Sequence, residues 1–391
     1  MPIVNRIGEF AEDMKTWRRW IHAHPEVKLD CHETAGFVVE KLKAFGVDEI
    51  HEGIATSGVV GIIEGQGSED ETGGPTLGLR ADMDALPMQE RTGADHASTV
   101  PGRMHACGHD GHTAMLLGAA RYLAETRAFK GRVALIFQPA EEDIGGGRIM
   151  VEEGILERFD ISQVFALHND PDVAEGAFST TPGPIMAAVD TFRVQITGKG
   201  GHGAYPHEAI DPIPPVLAIA QACQTIVSRN HNPRDDLVVS VTIIQAGSAD
   251  NVIPEAAFVG GTVRTFDKGV RDMVERRIGE IVAGHAAAFG VEAGLDYERG
   301  YPPVVNHARE VEKAAAVARE VAGAGQVSTS RNREMGAEDF AYFLEARPGA
   351  FLFLGQGGGP GVHHPEYDFN DNIAPVGASF FARLVETLQP L

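Results

Sequence analysis

Apolar residues recur at helical spacing through residues 9–21 and 32–45 with polar residues between them, so both stretches read as amphipathic helices, the second stopped by Gly46. The pattern then changes. "SGVVGIIEG" and "TLGLRADMD" are short apolar runs on either side of "QGSEDETGGP", a polar loop rich in turn formers, and are expected to form a pair of strands. A helix over 112–126, a buried strand "RVALIF" (132–137), a helix over 147–158 and a strand "QVFAL" (163–167) follow. Apolar strands alternating with helices predict an α/β sheet covered on both faces.

From Asp190 to about Gly300 the rhythm differs. "DTFRVQIT" alternates, with Phe192, Val194 and Ile196 on one face; residues 212–229 read as a helix, "LVVSVTII" and "AAFVGGTVRTF" as strands, 268–288 as a helix and "VEAGLDYE" as a strand. The order β-α-β-β-α-β is the ferredoxin-like pattern, a small sheet with both helices on one face. Its exposed edges would be protected by joining a second copy. Beyond residue 305 the first pattern resumes, with "GAFLFLG" (349–355) as another buried strand. The expected organisation is a discontinuous α/β domain, 1–188 and 302–391, with an α+β domain of 189–301 inserted into it. The chain contains no internal repeat.

Composition narrows the function. A chain of 391 residues is long for one core, which fits two domains. With 55 acidic against 33 basic residues, the formal charge of −22 repels phosphate backbones and anionic lipid, which argues against nucleic acid. It does not exclude a small anionic substrate held by a local arginine. The N-terminal stretch lacks the apolar core and cleavage site of a signal peptide, and no apolar run approaches the ~18 residues of a membrane span. The three cysteines, Cys31, Cys107 and Cys223, are far apart and odd in number, as expected in the reducing cytoplasm.

The chemistry-bearing residues gather at predicted strand ends. Asp82 and Asp84 follow the strand ending near Arg80, Glu141 and Glu142 follow "RVALIF", His168 follows "QVFAL", and His363 and His364 lie in a glycine-rich loop after "FLFLG". In open α/β sheets ligands gather beyond the carboxyl ends of the strands. Cys107 and His109, in "MHACGHDGHTAML", sit in the loop entering the 112–126 helix. Each residue alone has an ordinary structural reading; their coincidence at several strand ends points to a transition-metal site of thiolate, imidazole and carboxylate. Adjacent glutamates on extended backbone point apart, so one of Glu141 and Glu142 can bind metal while the other acts as general base. A Cys107 thiolate activated by neighbouring histidines is the rival reading, but it leaves the late histidines and both glutamates idle. In the inserted segment, "GKGGHGAYPH" carries His202, "ADNVIPE" carries Asn251 and "GTVRTF" carries Arg264, which is able to fix a carboxylate by a two-pronged hydrogen bond.

Nine motifs, "HAHPE", "GLRADMDALP", "MHACGHDGHTAMLLGAA", "QPAEE", "ALHN", "GKGGHGAYPHEAIDPI", "DNVIPEAAFVGGTVRTF", "MGAEDFAYFLE" and "HHPEYDFND", run nearly end to end. Together they resemble the M20 metallopeptidase and amidohydrolase family, in the branch of hippurate hydrolases, N-acyl-amino-acid amidohydrolases and plant indole-acetyl-amino-acid hydrolases. The resemblance implies a zinc-peptidase-like α/β catalytic domain with a mixed sheet, and an inserted domain that dimerises or acts as a lid. It implies two divalent ions per subunit, with zinc, manganese, cobalt and nickel all open. Cys107, His109, Glu142, His168 and His363 become the metal ligands, Glu141 the base, and Asp84 the acid supporting the metal site. His363 is preferred to His364 on its spacing to "FND". Asp82 stands where other branches have a histidine ligand, and its role stays open. His202 reaches the substrate, in the other subunit's site, while Asn251 and Arg264 hold the substrate carboxylate. The implied reaction is hydrolysis of an N-acyl amino acid such as hippurate by a metal-bridging water, giving a carboxylic acid and a free amino acid. Asp170 stands where many relatives have an aromatic residue, which leaves acyl preference open. A metallo-dipeptidase, a thiol hydrolase and a non-catalytic metal-binding protein remain as alternatives.

Overall fold

The structure is a computed structural model describing residues 3–66 and 75–391. Most of the polar loop "QGSEDETGGP" lies outside the described residues. The chain forms two compact units: Met1–Ile185 with Val304–Asn332 and Glu338–Leu391, and Met186–Pro303 with Arg333–Ala337.

The first unit is built on an eight-stranded mixed sheet. Thr76–Asp82 lies between Arg132–Gln138 and Ile161–Asp170, with Gly349–Gly355 next in order, and these four strands run parallel. All seven residues of Thr76–Asp82 are buried, as a central strand covered on both faces requires. The two runs expected as a pair do not pair with each other: Gly58–Glu64 runs antiparallel to Arg132–Gln138, which separates it from Thr76–Asp82. The edge strand Glu49–Ile54 has no apolar alternation, and only its last residue is buried, so periodicity does not reveal it. Because the four central strands are parallel, the ends near Asp82, Gln138, Asp170 and Gly355 share one edge of the sheet.

Helices Ala11–Ala23 and His32–Phe45 form where periodicity places them, and Gly46 ends the second in the left-handed region (φ 77°). His109–Thr126 is buried along almost its whole length and packs against Ala11–Ala23 and Ala374–Leu388. The helix expected over 147–158 is two pieces, Gly146–Glu152 and Ile155–Arg158, broken where Gly154 turns to φ 80°. Among the described residues, no helix is long and apolar enough to cross a membrane.

The second unit contains a four-stranded antiparallel sheet in the order Leu237–Ala246, Ala256–Thr265, Ala188–Thr197, Glu292–Arg299. Phe192, Val194 and Ile196 are fully buried in one cluster with Val216, Ile219 and Cys223 of helix Ile213–Thr225 and Val274 and Ile278 of helix Lys268–Phe289. This is the ferredoxin-like arrangement. The outer strand Leu237–Ala246 becomes exposed from Thr242 onward, with Ile243 and Ile244 in the exposed part.

Candidate metal centre

The loop before helix His109–Thr126 is set by Gly108, at φ 94°, where a Cβ would come within 2.2 Å of Asn169 Oδ1. Only glycine fits that position. The turn delivers Cys107 and His109 to the edge of the sheet. His109 Nδ1 donates to the backbone oxygen of Asp84 (2.9 Å), and His168 Nδ1 donates to the backbone oxygen of Asn169 (2.7 Å). Each bond fixes a tautomer that leaves Nε2 with a lone pair. The two rings flank Cys107, whose Sγ lies 3.4 Å from His168 Nε2. His168 follows "QVFAL" but still lies inside its strand, Ile161–Asp170, which extends three residues beyond that run.

Asp84 anchors the acidic pair by backbone: its Oδ1 accepts from the amide of Glu141 (3.0 Å) and its Oδ2 from that of Glu142 (3.2 Å). The pair does not lie on extended backbone. It follows Ala140, at φ 57°, in a turn, and one oxygen of each carboxylate lies within 4.8 Å of the other. Glu142 Oε1 approaches His109 Nε2 (3.9 Å) and His363 Nε2 (3.4 Å). Glu141 groups both with His109 and Glu142 and with Glu338 and Asp339. His363 itself has left-handed backbone (φ 64°), held by its amide donating to the oxygen of Ala106 (2.7 Å). His364 instead accepts the amide of Glu366 at its Nδ1 (3.1 Å) and joins no potential ligand group among the described residues.

Two ligand sets share Cys107: Cys107, His109 and His168, and Cys107, Glu142 and His363, each with donor atoms within 4.8 Å of one another. His109 Nε2 and Glu142 Oε1 are buried without a hydrogen-bond partner, a costly state unless a cation takes them up. Thiolate, imidazole and carboxylate are donors suited to zinc or a related transition ion, so the residues present fit such ions. Burial raises the Cys107 thiol, and nearby Glu142 adds to this against His109. Glu141 is pushed well above the carboxylate range by burial, then by Glu338, Glu142 and Asp339.

A supporting layer escaped the sequence reading. Asp82, whose role was open, accepts from His112 Nδ1 (2.6 Å) and Arg80 Nη1 (2.6 Å), and lies 3.7 Å from His109 Nε2. His112 Nε2 meets Asn169 Oδ1 (2.7 Å). An arginine inside the apolar run "TLGLRADMD" was the available signal, since a charge there must be paired.

His202, Asn251 and Arg264 belong to the second unit. Two short strands, Gly201–His202 and Val252–Ile253, bring the first two together, and the backbone oxygen of Asn251 accepts from Gly203 (2.8 Å). The His202 ring is exposed, its Nδ1 accepting from the amide of Ala204 (3.1 Å). Arg264, near the end of its strand, donates to the oxygen of Met335 (3.2 Å) and to Thr262 Oγ1 (2.5 Å), and makes no ion pair among the described residues.

The sequence profile of Peptidase family M20/M25/M40 matches residues 78–387. The chain belongs to this family. The M20 protein is 42% identical over 366 residues to an N-acetyl-L-cysteine deacetylase of Bacillus subtilis, covering 93% of this chain and 85% of the relative. It is 38% identical over 384 residues to the hippurate hydrolase of Campylobacter jejuni, covering 98% of each. Among solved structures it resembles the YXEP protein of Bacillus subtilis, described as a dinuclear metal-binding peptidase of the M20 family (TM-score 0.84, 36% identity, 98% and 99% of the two chains). The M20 protein is thus a metal-dependent hydrolase of the amidohydrolase type.

Proposed function

We propose that this M20 protein hydrolyses the amide bond of N-acyl amino acids, hippurate-like compounds among them, with two divalent ions per subunit. The observation that carries the reading is the pair of donor sets joined at Cys107 with Glu141 alongside. The relatives' names, hippurate hydrolase and N-acetyl-L-cysteine deacetylase, support the substrate class. Cys107, His109, Glu142, His168 and His363 would hold the ions, which when bound polarise the carbonyl and acidify the attacking water. Glu141 takes the proton of that water and returns it to the departing amine nitrogen. Asp84 holds Glu141 and Glu142 by their amides. Arg264 and Asn251 bind the carboxylate of the amino-acid half, and His202 of a partner subunit the scissile carbonyl oxygen. The free, buried cysteines fit a cytoplasmic protein.

A Cys107 nucleophile is disfavoured, because burial and Glu142 raise the thiol where thiol catalysis needs it lowered. Benzoylglycine hydrolysis by the purified protein is expected to stop on chelation and return with zinc, manganese, cobalt or nickel. Activity that survives chelation but not alkylation would restore Cys107 as nucleophile. Glu141→Ala should lower turnover by about 10²–10⁴-fold with metal content intact.

A further inference from the structure

Behind Glu141 lies a group of buried charges that the proposed metal ligands do not use. Arg80 is buried with all five N–H groups engaged: Nε to Gln138 Oε1 (2.9 Å), Nη1 to Asp82 Oδ2 (2.6 Å) and Glu338 Oε2 (3.3 Å), Nη2 to Glu338 Oε1 (2.9 Å) and Asp339 Oδ1 (2.9 Å). Glu338 Oε1 also accepts the amide of Phe340 (2.8 Å), and Asp339 accepts from Gln138 Nε2 (2.8 Å) and the amide of Gly147 (2.7 Å). Bonds of this kind, buried and charge-assisted, fix both carboxylates in place.

One carboxylate oxygen each of Glu141, Glu338 and Asp339 lies within 4.8 Å of the others, and all three residues are buried. Glu141 also groups with His109 and Glu142 within the same 4.8 Å limit. It therefore belongs both to the ligand group and to a wall of two carboxylates clamped by hydrogen bonds. Asp339 spends both oxygens on Arg80, Gln138 and Gly147, whereas Glu338 Oε2 receives a single long contact from Arg80. Glu338 is thus the member of the wall with an oxygen left to face Glu141.

We propose that Glu338, clamped by Arg80, is the positioning residue for Glu141. Its fixed charge and bulk close off the conformations in which the Glu141 carboxylate turns away from His109 and Glu142. The clamp also reaches the ligand side, because the same guanidinium holds Asp82, the partner of His112. The inference rests on the reading of Glu141 as the base, and the experiment separates the two.

Benzoylglycine turnover, metal content and thermal unfolding are measured for Glu338→Gln, Glu141→Asp and the double variant. Glu338→Gln is expected to lower kcat about tenfold to a hundredfold, the scale of a small misplacement of a catalytic group, with KM and metal content unchanged. Added to Glu141→Asp, it should cost little more, because both changes act through one carboxylate. Losses that multiply independently, or a fall in metal content that accounts for the lost rate, overturn the proposal. Wild-type kcat in Glu141→Asp would remove the base reading itself; an impaired Glu141→Asp beside a normal Glu338→Gln removes only the role of Glu338. If Glu338→Gln does not fold, Glu338→Asp, which keeps the charge but withdraws it from Glu141, carries the same cycle and is expected to show a smaller loss of kcat.

Discussion

At the scale of single residues, the buried charges beside the candidate centre are as exacting as the ligands. His22 is fully buried, its Nδ1 2.8 Å from Asp110 Oδ2 and its Nε2 3.4 Å from Glu90 Oε1. Burial disfavours the charged ring, and Arg18 opposes it too, but Asp110 and Glu90 outweigh both and raise His22 to about 9. A histidine raised above its unfolded value contributes stability that is complete below about pH 6.5 and lost as pH rises through about 9. That contribution is on the order of 3 kcal/mol. Thermal unfolding of His22→Gln should therefore differ most from wild type near pH 6, and the difference should narrow by pH 10. A gap that stays constant across this range would mean that the ring is neutral in the fold. Sequence showed the ligand-type residues because they stand near strand ends or, for Cys107 and His109, at the entry to a helix. It did not show Arg80, His112 or His22, because their partners are distant in the chain: Arg80 meets Glu338, and His22 meets Asp110.

At the scale of elements, two helical glycines look alike in sequence and differ in the fold. Gly111 opens helix His109–Thr126 where a Cβ would fall 2.2 Å from the Phe369 ring, and the ring is itself buried. Gly284 lies on the exposed side of helix Lys268–Phe289 with nothing within 4 Å of a Cβ. Gly111→Ala should cost about 1–3 kcal/mol by overpacking, whereas Gly284→Ala should gain about 0.5–1 kcal/mol from helix propensity. Chemical denaturation of the two variants checks both signs. Periodicity found the long helices and the central strands because each buries a regular stripe or a whole run. It missed Glu49–Ile54, an edge strand that buries little, and it ran through Gly154, where a left-handed residue ends one helix and begins another. Those features depend on neighbours and on backbone sign, and neither leaves a period.

At the scale of the whole molecule, the change from parallel α/β to β-α-β-β-α-β rhythm was legible, because each architecture has its own order of elements. The return of Arg333–Ala337 to the second unit was not: those residues are held by backbone bonds from Ala187 to Glu334 (3.0 Å) and Gly336 (2.9 Å), which carry no sequence signature. The second unit also presents, among the described residues, a strand at the edge of its sheet, Leu237–Ala246, with Ile243 and Ile244 exposed, and Leu217 exposed on the helix packed against that strand. Strands of this kind invite pairing with another chain, which supports the proposed dimer. If His202 acts in the partner's site, Glu141→Ala and His202→Ala should each be inactive as homodimers but complement one another when co-expressed. In the mixed dimer the His202→Ala subunit keeps its Glu141 and receives an intact His202 from its partner, so one of its two sites works. Random two-fold pairing of equal amounts makes half the dimers mixed, and the expected turnover is about a quarter of wild type. Ile243→Lys, placed on the exposed edge, should lower the sedimentation coefficient to that of a monomer and abolish turnover while leaving metal content unchanged. No recovery in the mixed dimer would place His202 in its own subunit's site, and full activity in an Ile243→Lys monomer would remove dimerisation from catalysis.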